Sequence, residues 1–122
     1  MFSYRADGPF VILKTDGRST AAERHAVYDT ICSDPNVPDG AFLMIDIRKY
    51  ELLITQPELQ ERVQALLEGL ASKLATSCAI LVGDVSLQVG LNLQQVAAKR
   101  KFLVGIFHNE QAARKWLAPG AH

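Results

Sequence analysis

Short apolar runs separated by turn residues predict the strands of this chain. Phe2, Tyr4 and Ala6 alternate with polar residues, as in a strand that is buried on one face. Asp7–Gly8 separates this segment from the run Phe10–Leu13, so the two segments are predicted to form a β-hairpin. Three later apolar runs also have the length and composition of strands: Ala41–Ile47, Cys78–Val82 and Phe102–Phe107.

Helical spacing of apolar residues follows each strand after the first. Thr20 and Thr55 each precede a glutamate by three residues, the form of a capping box that opens a helix. Ser86 and Asn109 are predicted to cap two further helices, although Gly90 weakens the helical pattern after Ser86. The strongest periodic signal is a stripe on the second helix: Leu59, Val63, Leu66, Leu70 and Leu74. The last helix is predicted to face the sheet through Ala112, Ala113, Trp116 and Leu117.

The order of these elements predicts an α/β fold in a single domain spanning residues 1–122. Strands that alternate with helices are joined by right-handed crossovers, which make neighbouring strands parallel. The initial hairpin adds an antiparallel edge strand. We therefore expect a mixed, mostly parallel sheet of about five strands with about four helices, in the order β-β-α-β-α-β-α-β-α.

Charge and composition narrow the classes of protein to consider. Lys plus Arg equals Asp plus Glu at 13 each, so the chain offers no general attraction to phosphates and nucleic acid is not an expected partner. No apolar run approaches the roughly 18 residues of a membrane span, and the first residues lack the pattern of a secretory signal. Cys32 and Cys78 are predicted to be buried free thiols, which indicates a cytoplasmic location.

Three segments indicate a family. They are the strand ends Leu43–Asp46 and Val82–Asp84 and the closing segment Ile106–Leu117. In these segments and in element order, the chain resembles the STAS domain, and more closely its SpoIIAA-like branch of small bacterial proteins. The resemblance implies either an interaction module of anti-sigma-factor switching or a domain likened to lipid-carrying folds. Regulatory members carry a phosphorylatable serine just after the acid that ends the central strand, whereas Asp46 here is followed by Ile47–Tyr50 without a hydroxyl amino acid beside it.

Open α/β sheets bind ligands beyond the carboxyl ends of their parallel strands. Six polar residues are predicted at that edge: Asp46, Arg48 and Tyr50 after one strand, Asp84 and Ser86 after another, and His108 after the last. The alternative is that Asp46 and Asp84 only cap turns and helix starts, and that His108 is an exposed loop residue. His25 is expected to be partly buried on the first helix.

The sequence contains no recognisable catalytic or cofactor-binding pattern. No His or Cys pair has the spacing of zinc ligands, and no glycine-rich phosphate loop occurs. A phosphoacceptor role for Asp46 needs further carboxylates to hold magnesium, and Lys14–Gly17 supplies only one. We therefore expect no metal, no cofactor and no enzymatic activity.

Two functional hypotheses follow from these features. The first is a non-enzymatic protein-interaction or regulatory module that works through an exposed helix face or as a homodimer. The second is a carrier or sensor of a small apolar, lipid-like ligand, since the aliphatic stripe of Leu59–Leu74 could leave a cleft against the sheet. The alternative for that stripe is that it simply fills the core. An enzyme ranks third.

Overall fold

The computed structural model of the chain describes residues 2–50 and 54–118. Within these residues, one sheet has its strands in chain order: β1 (Phe2–Asp7), β2 (Phe10–Thr15), β3 (Ala41–Asp46), β4 (Leu74–Leu81) and β5 (Leu103–Phe107). β1 pairs antiparallel with β2, and each later neighbour pair is parallel. The α/β class, the initial hairpin and the mixed, mostly parallel sheet are confirmed.

Four helices alternate with these strands in the described part of the chain: α1 (Ala21–Ser33), α2 (Gln56–Leu70), α3 (Leu87–Lys99) and α4 (Glu110–Leu117). The predicted capping box opens α1, because the Thr20 hydroxyl accepts from the Glu23 N–H while the Glu23 carboxylate accepts from the Thr20 N–H. The Thr55 hydroxyl caps α2 and the Asn109 amide oxygen caps α4, each by accepting a hydrogen bond from the third helical residue.

The predicted boundary between α2 and β4 was wrong. The apolar stripe was expected to keep its helical course to Leu74, but α2 ends at Leu70 and Leu74 is the first residue of β4. The backbone of Leu74 pairs with Ala41 in the sheet, so β4 begins four residues before Cys78. Helical spacing cannot reveal this pairing, because the partner residue lies far away in the sequence.

The first three helices pack on one face of the sheet. Each of these helices connects two neighbouring parallel strands that are consecutive in the chain. Because such crossovers are right-handed, all three helices lie on the same side of the sheet. The larger core lies on this side and includes the fully buried Val11, Leu13 and Leu43. On the opposite face, α4 covers a smaller core that includes Ile12 and Met44. The central strands are therefore buried on both faces, as their continuous apolarity predicts.

Charged side chains connect α4 to the edge strand β1. Arg5 Nη2 donates to Glu110 Oε1 at 2.8 Å, and Arg114 donates to the carboxylates of Asp7 and Glu110. The Arg114 guanidinium also lies 4.8 Å from the centre of the Phe10 ring. These contacts fix the position of a helix that is only eight residues long.

The predicted contact of α4 with the sheet is confirmed at Ala113, Trp116 and Leu117, although Trp116 stays partly exposed. Ala113 and Leu117 are buried against the sheet, but Trp116 is 36% exposed. Its ring lies beside Phe107, with the ring centres 5.5 Å apart, at the flank of the helix. Trp116 therefore contacts β5, where a β-carbon at Gly105 would lie 3.2 Å from its ring, while the rest of the side chain stays exposed.

Candidate functional site

The six polar residues predicted at the strand ends do not converge on one point. Asp46 and Arg48 line a polar cleft on the α4 side of the sheet, together with Lys14. Tyr50 is buried on the opposite side, against the three helices. The remaining three lie on the connections that follow β4 and β5: Asp84, Ser86 and His108.

Asp46 and Arg48 form a closed ion pair. Asp46 Oδ1 accepts from the backbone N–H and the Nε of Arg48, both at 3.0 Å, and Oδ2 accepts from Nη2 at 2.8 Å. Burial alone raises the pKa of Asp46, but these hydrogen bonds outweigh burial and hold it below its usual range. Both carboxylate oxygens are occupied within the chain, so the pair closes the turn after β3.

The other strand-end residues have simpler roles. Ser86 is fully buried, and its hydroxyl accepts from the Gly83 N–H at 2.9 Å. Ser86 is the N-cap residue of α3, as predicted, but its hydroxyl closes the turn before the helix and makes no capping hydrogen bond. Asp84 and His108 are exposed. His25 is also exposed, not partly buried as expected, because it lies on the outer side of α1.

An apolar cavity of about 70 Å³ lies between the sheet and the first three helices. Leu13 and Ile45 form its floor at the carboxyl halves of β2 and β3. Leu59 and Leu66 of α2 and Val89 of α3 form its walls. The lining is almost entirely apolar, and one side is open to solvent.

The stripe on α2 has two roles along its length. Leu70, at the end of the helix, is 2% exposed and belongs to the main core. Leu59, Val63 and Leu66, nearer its start, line the cavity. The last turn of α2 therefore fills the core, whereas its earlier turns leave a cleft against the sheet. Each of the two alternatives drawn from the sequence, core filling and a cleft, holds for one part of the helix.

Tyr50 closes one end of the cavity. Its ring packs directly on the backbone of Gly17, where a β-carbon would lie 2.6 Å from two ring atoms. Its hydroxyl accepts a hydrogen bond from Arg62 Nη1 at 2.9 Å. Burial raises the pKa of Tyr50, although the nearby Arg62 opposes the shift. Tyr50 is thus a neutral, well-positioned wall residue at neutral pH.

Sequence reasoning did not find Arg24 and Arg62, which lie at the rim of the cavity. Both are half-buried, and Arg24 Nη1 donates to the Ser19 carbonyl oxygen at 2.7 Å. A signal was present in the sequence. Arg24 precedes the buried Tyr28 by four residues and Arg62 precedes Leu66 by four, so each arginine is on the inward side of its helix. Their convergence depends on how α1 and α2 pack.

The remaining reactive groups do not form a second site. Among residues 2–50 and 54–118, no cluster of three His, Cys, Asp or Glu side chains could hold a metal ion. Cys32 and Cys78 are free thiols; Cys78 is buried, and burial raises its pKa. No helix in the described ranges has the length and apolarity that crossing a membrane requires.

Comparisons with known protein families, with curated proteins and with solved structures find no match. The chain is an α/β domain with a mixed sheet, three helices on one face and one on the other, and an apolar cavity under the three.

Proposed function

We propose that this protein binds a small apolar ligand in the cavity under helices α1–α3, as a carrier or a sensor. The observation that supports this proposal is an apolar cavity at the carboxyl ends of parallel strands, with a few polar groups at its rim. Ligand sites in open α/β sheets occur at this end of the strands. They are lined mostly by apolar side chains, and a few polar groups orient the ligand.

The size of the cavity limits the ligand. A cavity of about 150 Å³ accommodates benzene, whereas this one measures about 70 Å³. The buried part of the ligand is therefore a short chain of a few carbon atoms, and the rest extends through the open side. Tyr28 contributes a neutral phenol, because burial raises its pKa to about 12. The phenol can donate a hydrogen bond at any physiological pH.

The proposal predicts that a neutral apolar probe binds here and that filling the cavity prevents binding. Pentanamide has a four-carbon tail of suitable length and no charge. Titrated into the protein, it should produce saturable amide shifts in NMR spectra at residues of the cavity wall such as Ile45 and Val89. Leu66→Phe places a larger side chain in the cavity, so we expect it to weaken binding by about tenfold or more.

A matched control separates cavity filling from a general effect of phenylalanine. Leu103 is 63% exposed at the start of β5 and does not line the cavity, so Leu103→Phe should bind pentanamide as the natural chain does. Thermal unfolding verifies that both variants are folded. Shifts scattered over the surface without saturation, or equal affinity of Leu66→Phe and the natural chain, would contradict the proposal.

Self-association is a second candidate function, supported by an apolar surface on α3. Leu87 and Leu91 lie one turn apart, are 37% and 36% exposed, and adjoin Val85, which is 72% exposed. No charged residue occurs from Val85 to Ala98, so two copies could meet here without like-charge repulsion. Sedimentation should show a dimer that Leu91→Asp converts to a monomer. A natural chain that stays monomeric up to millimolar concentration would refute this candidate.

We further propose that the fold belongs to the STAS type, in its SpoIIAA-like branch, and that the protein is not an enzyme. The likeness of some members to lipid-carrying folds agrees with an apolar cavity. The phosphorylation switch of other members finds no support, since Asp46 has no neighbouring hydroxyl amino acid in sequence and is paired with Arg48.

A further inference from the structure

We infer that the ligand of this cavity carries a single carboxylate, held at the rim by Arg24 and Arg62; this inference rests on the binding function proposed above. Arg24 and Arg62 both border the same cavity. The positive charges of both act on Tyr28 and on Tyr50, where each opposes the rise in pKa caused by burial. The two arginines therefore lie near the same pair of phenols, at one side of the cavity.

Neither arginine forms an ion pair within the described part of the chain. Arg62 donates to the Tyr50 hydroxyl, and Arg24 donates to the carbonyl and hydroxyl oxygens of Ser19. These acceptors are neutral. No carboxylate oxygen of residues 2–50 and 54–118 lies within 4.0 Å of either guanidinium. The contacts orient the two groups and leave further N–H donors of each available.

Two other arginines of this protein, the half-buried Arg114 and the exposed Arg48, do have carboxylate partners. Arg48 pairs with Asp46, and Arg114 pairs with Asp7 and Glu110. Placing two guanidinium groups together beside apolar surface without an anion is unfavourable, because like charges repel and the site is poorly hydrated. An anionic group on the ligand removes this cost when it binds.

The chemistry of the rim favours a carboxylate over a more highly charged group. A guanidinium presents parallel N–H donors that match the two oxygens of a carboxylate. Two exposed acids lie nearby, since the charge of Glu58 acts on Tyr50 and that of Arg24 acts on Glu23. With these acids close to the arginines, a monoanion is better matched to the local charge than a dianionic phosphate ester. The ligand class is a short apolar monocarboxylate.

The test compares three probes that share a four-carbon tail: pentanoate, pentanamide and butyl phosphate. Affinities are measured at pH 7 by NMR titration of the natural chain and of Arg24→Met and Arg62→Met. We expect pentanoate to bind at least about tenfold more tightly than its neutral isostere pentanamide, because each charge-assisted hydrogen bond adds to affinity. Each Met variant should lose most of this preference, which is measured as the ratio of the pentanoate and pentanamide affinities of the same variant.

The design distinguishes failure of this inference from failure of the proposed function. Arg100→Met makes the same change in net charge outside the cavity, where Arg100 contacts Gln64, and should keep the preference for pentanoate. If pentanamide saturates the cavity but pentanoate binds no better, the carboxylate inference is wrong and the apolar site stands. Tighter binding of butyl phosphate than of pentanoate also overturns the inference. If none of the three probes binds, the proposed function itself is wrong.

Discussion

Gly17→Ala is expected to destabilise the protein by about 3 kcal/mol, as the sum of two costs. Gly17 has a φ of +88°, which residues with a β-carbon adopt only with strain. A β-carbon there would also lie 2.6 Å from two atoms of the Tyr50 ring. The ring is buried and held by its hydrogen bond from Arg62, so it cannot move aside without disturbing the wall of the cavity.

Gly8→Ala is the matched control for this prediction. Gly8 also has a positive φ, +57°, but a β-carbon at Gly8 would meet no atom within 4 Å. Its substitution tests the backbone cost alone, which we expect to be about 1 kcal/mol. Urea unfolding of both variants gives the two free energies. Equal losses of stability at the two positions would show that contact between Gly17 and the Tyr50 ring contributes nothing.

Gly90→Ala is expected to destabilise the protein by about 2 kcal/mol. Helix propensity alone predicts the opposite sign. Replacing a glycine inside a helix with alanine ordinarily adds about 1 kcal/mol of stability. Gly90 lies where α3 approaches the end of β4, and a β-carbon there would lie 2.6 Å from Val82 Cγ1. Val82 is 1% exposed and β-branched, so it has little freedom to adjust.

The Val82→Ala background tests this explanation directly. Removing Val82 Cγ1 leaves Ile106 Cδ1, at 3.5 Å, as the nearest atom to a β-carbon at Gly90, which is an ordinary contact. Val82→Ala alone should cost about 2 kcal/mol through the cavity that it leaves. In that background Gly90→Ala should become stabilising, and urea unfolding of the four proteins completes the double-mutant cycle. The same destabilisation in both backgrounds would rule out the contact with Val82.

Local signals account for the parts of the fold that sequence reasoning predicted correctly. The Thr20 capping box, the turn at Asp7–Gly8 and the apolar run Ala41–Ile47 each depend on residues close together in the chain. Their periodicity and capping hydrogen bonds do not depend on residues that are distant in the sequence. The parallel arrangement followed from the alternation of strands with helices, because the handedness of crossovers is nearly invariant.

Local signals failed where a distant partner decided the outcome. Leu74 continues the helical spacing of α2, yet its backbone pairs with Ala41. Ser86 is the N-cap residue of α3, as predicted, yet its hydroxyl accepts from Gly83 and makes no capping hydrogen bond. Gly90 was interpreted as a weakness of α3, whereas the structure shows that its missing side chain lets the helix approach Val82.

The candidate site, like the fold, has features that local signals predicted and features that depend on distant contacts. The sequence placed polar residues at the carboxyl ends of the strands, and it indicated that the stripe of α2 could leave a cleft. It did not indicate that Asp46 and Arg48 pair with each other on the α4 side, while Tyr50 turns to the opposite side. Successive residues after a strand diverge according to loop geometry, which periodicity does not encode.

By itself the sequence determined the class of the fold, the order of its strands and helices, and the inward-facing sides of the helices, because these follow from interactions between near neighbours in the chain. Only the tertiary structure decided which side of the sheet each helix covers and how closely α1, α2 and α3 approach it. That packing leaves the cavity and brings Arg24 and Arg62 to its rim. The physical reason is that a cavity and a pair of converging charges are properties of contacts between distant segments, and such contacts exist only once the chain has folded.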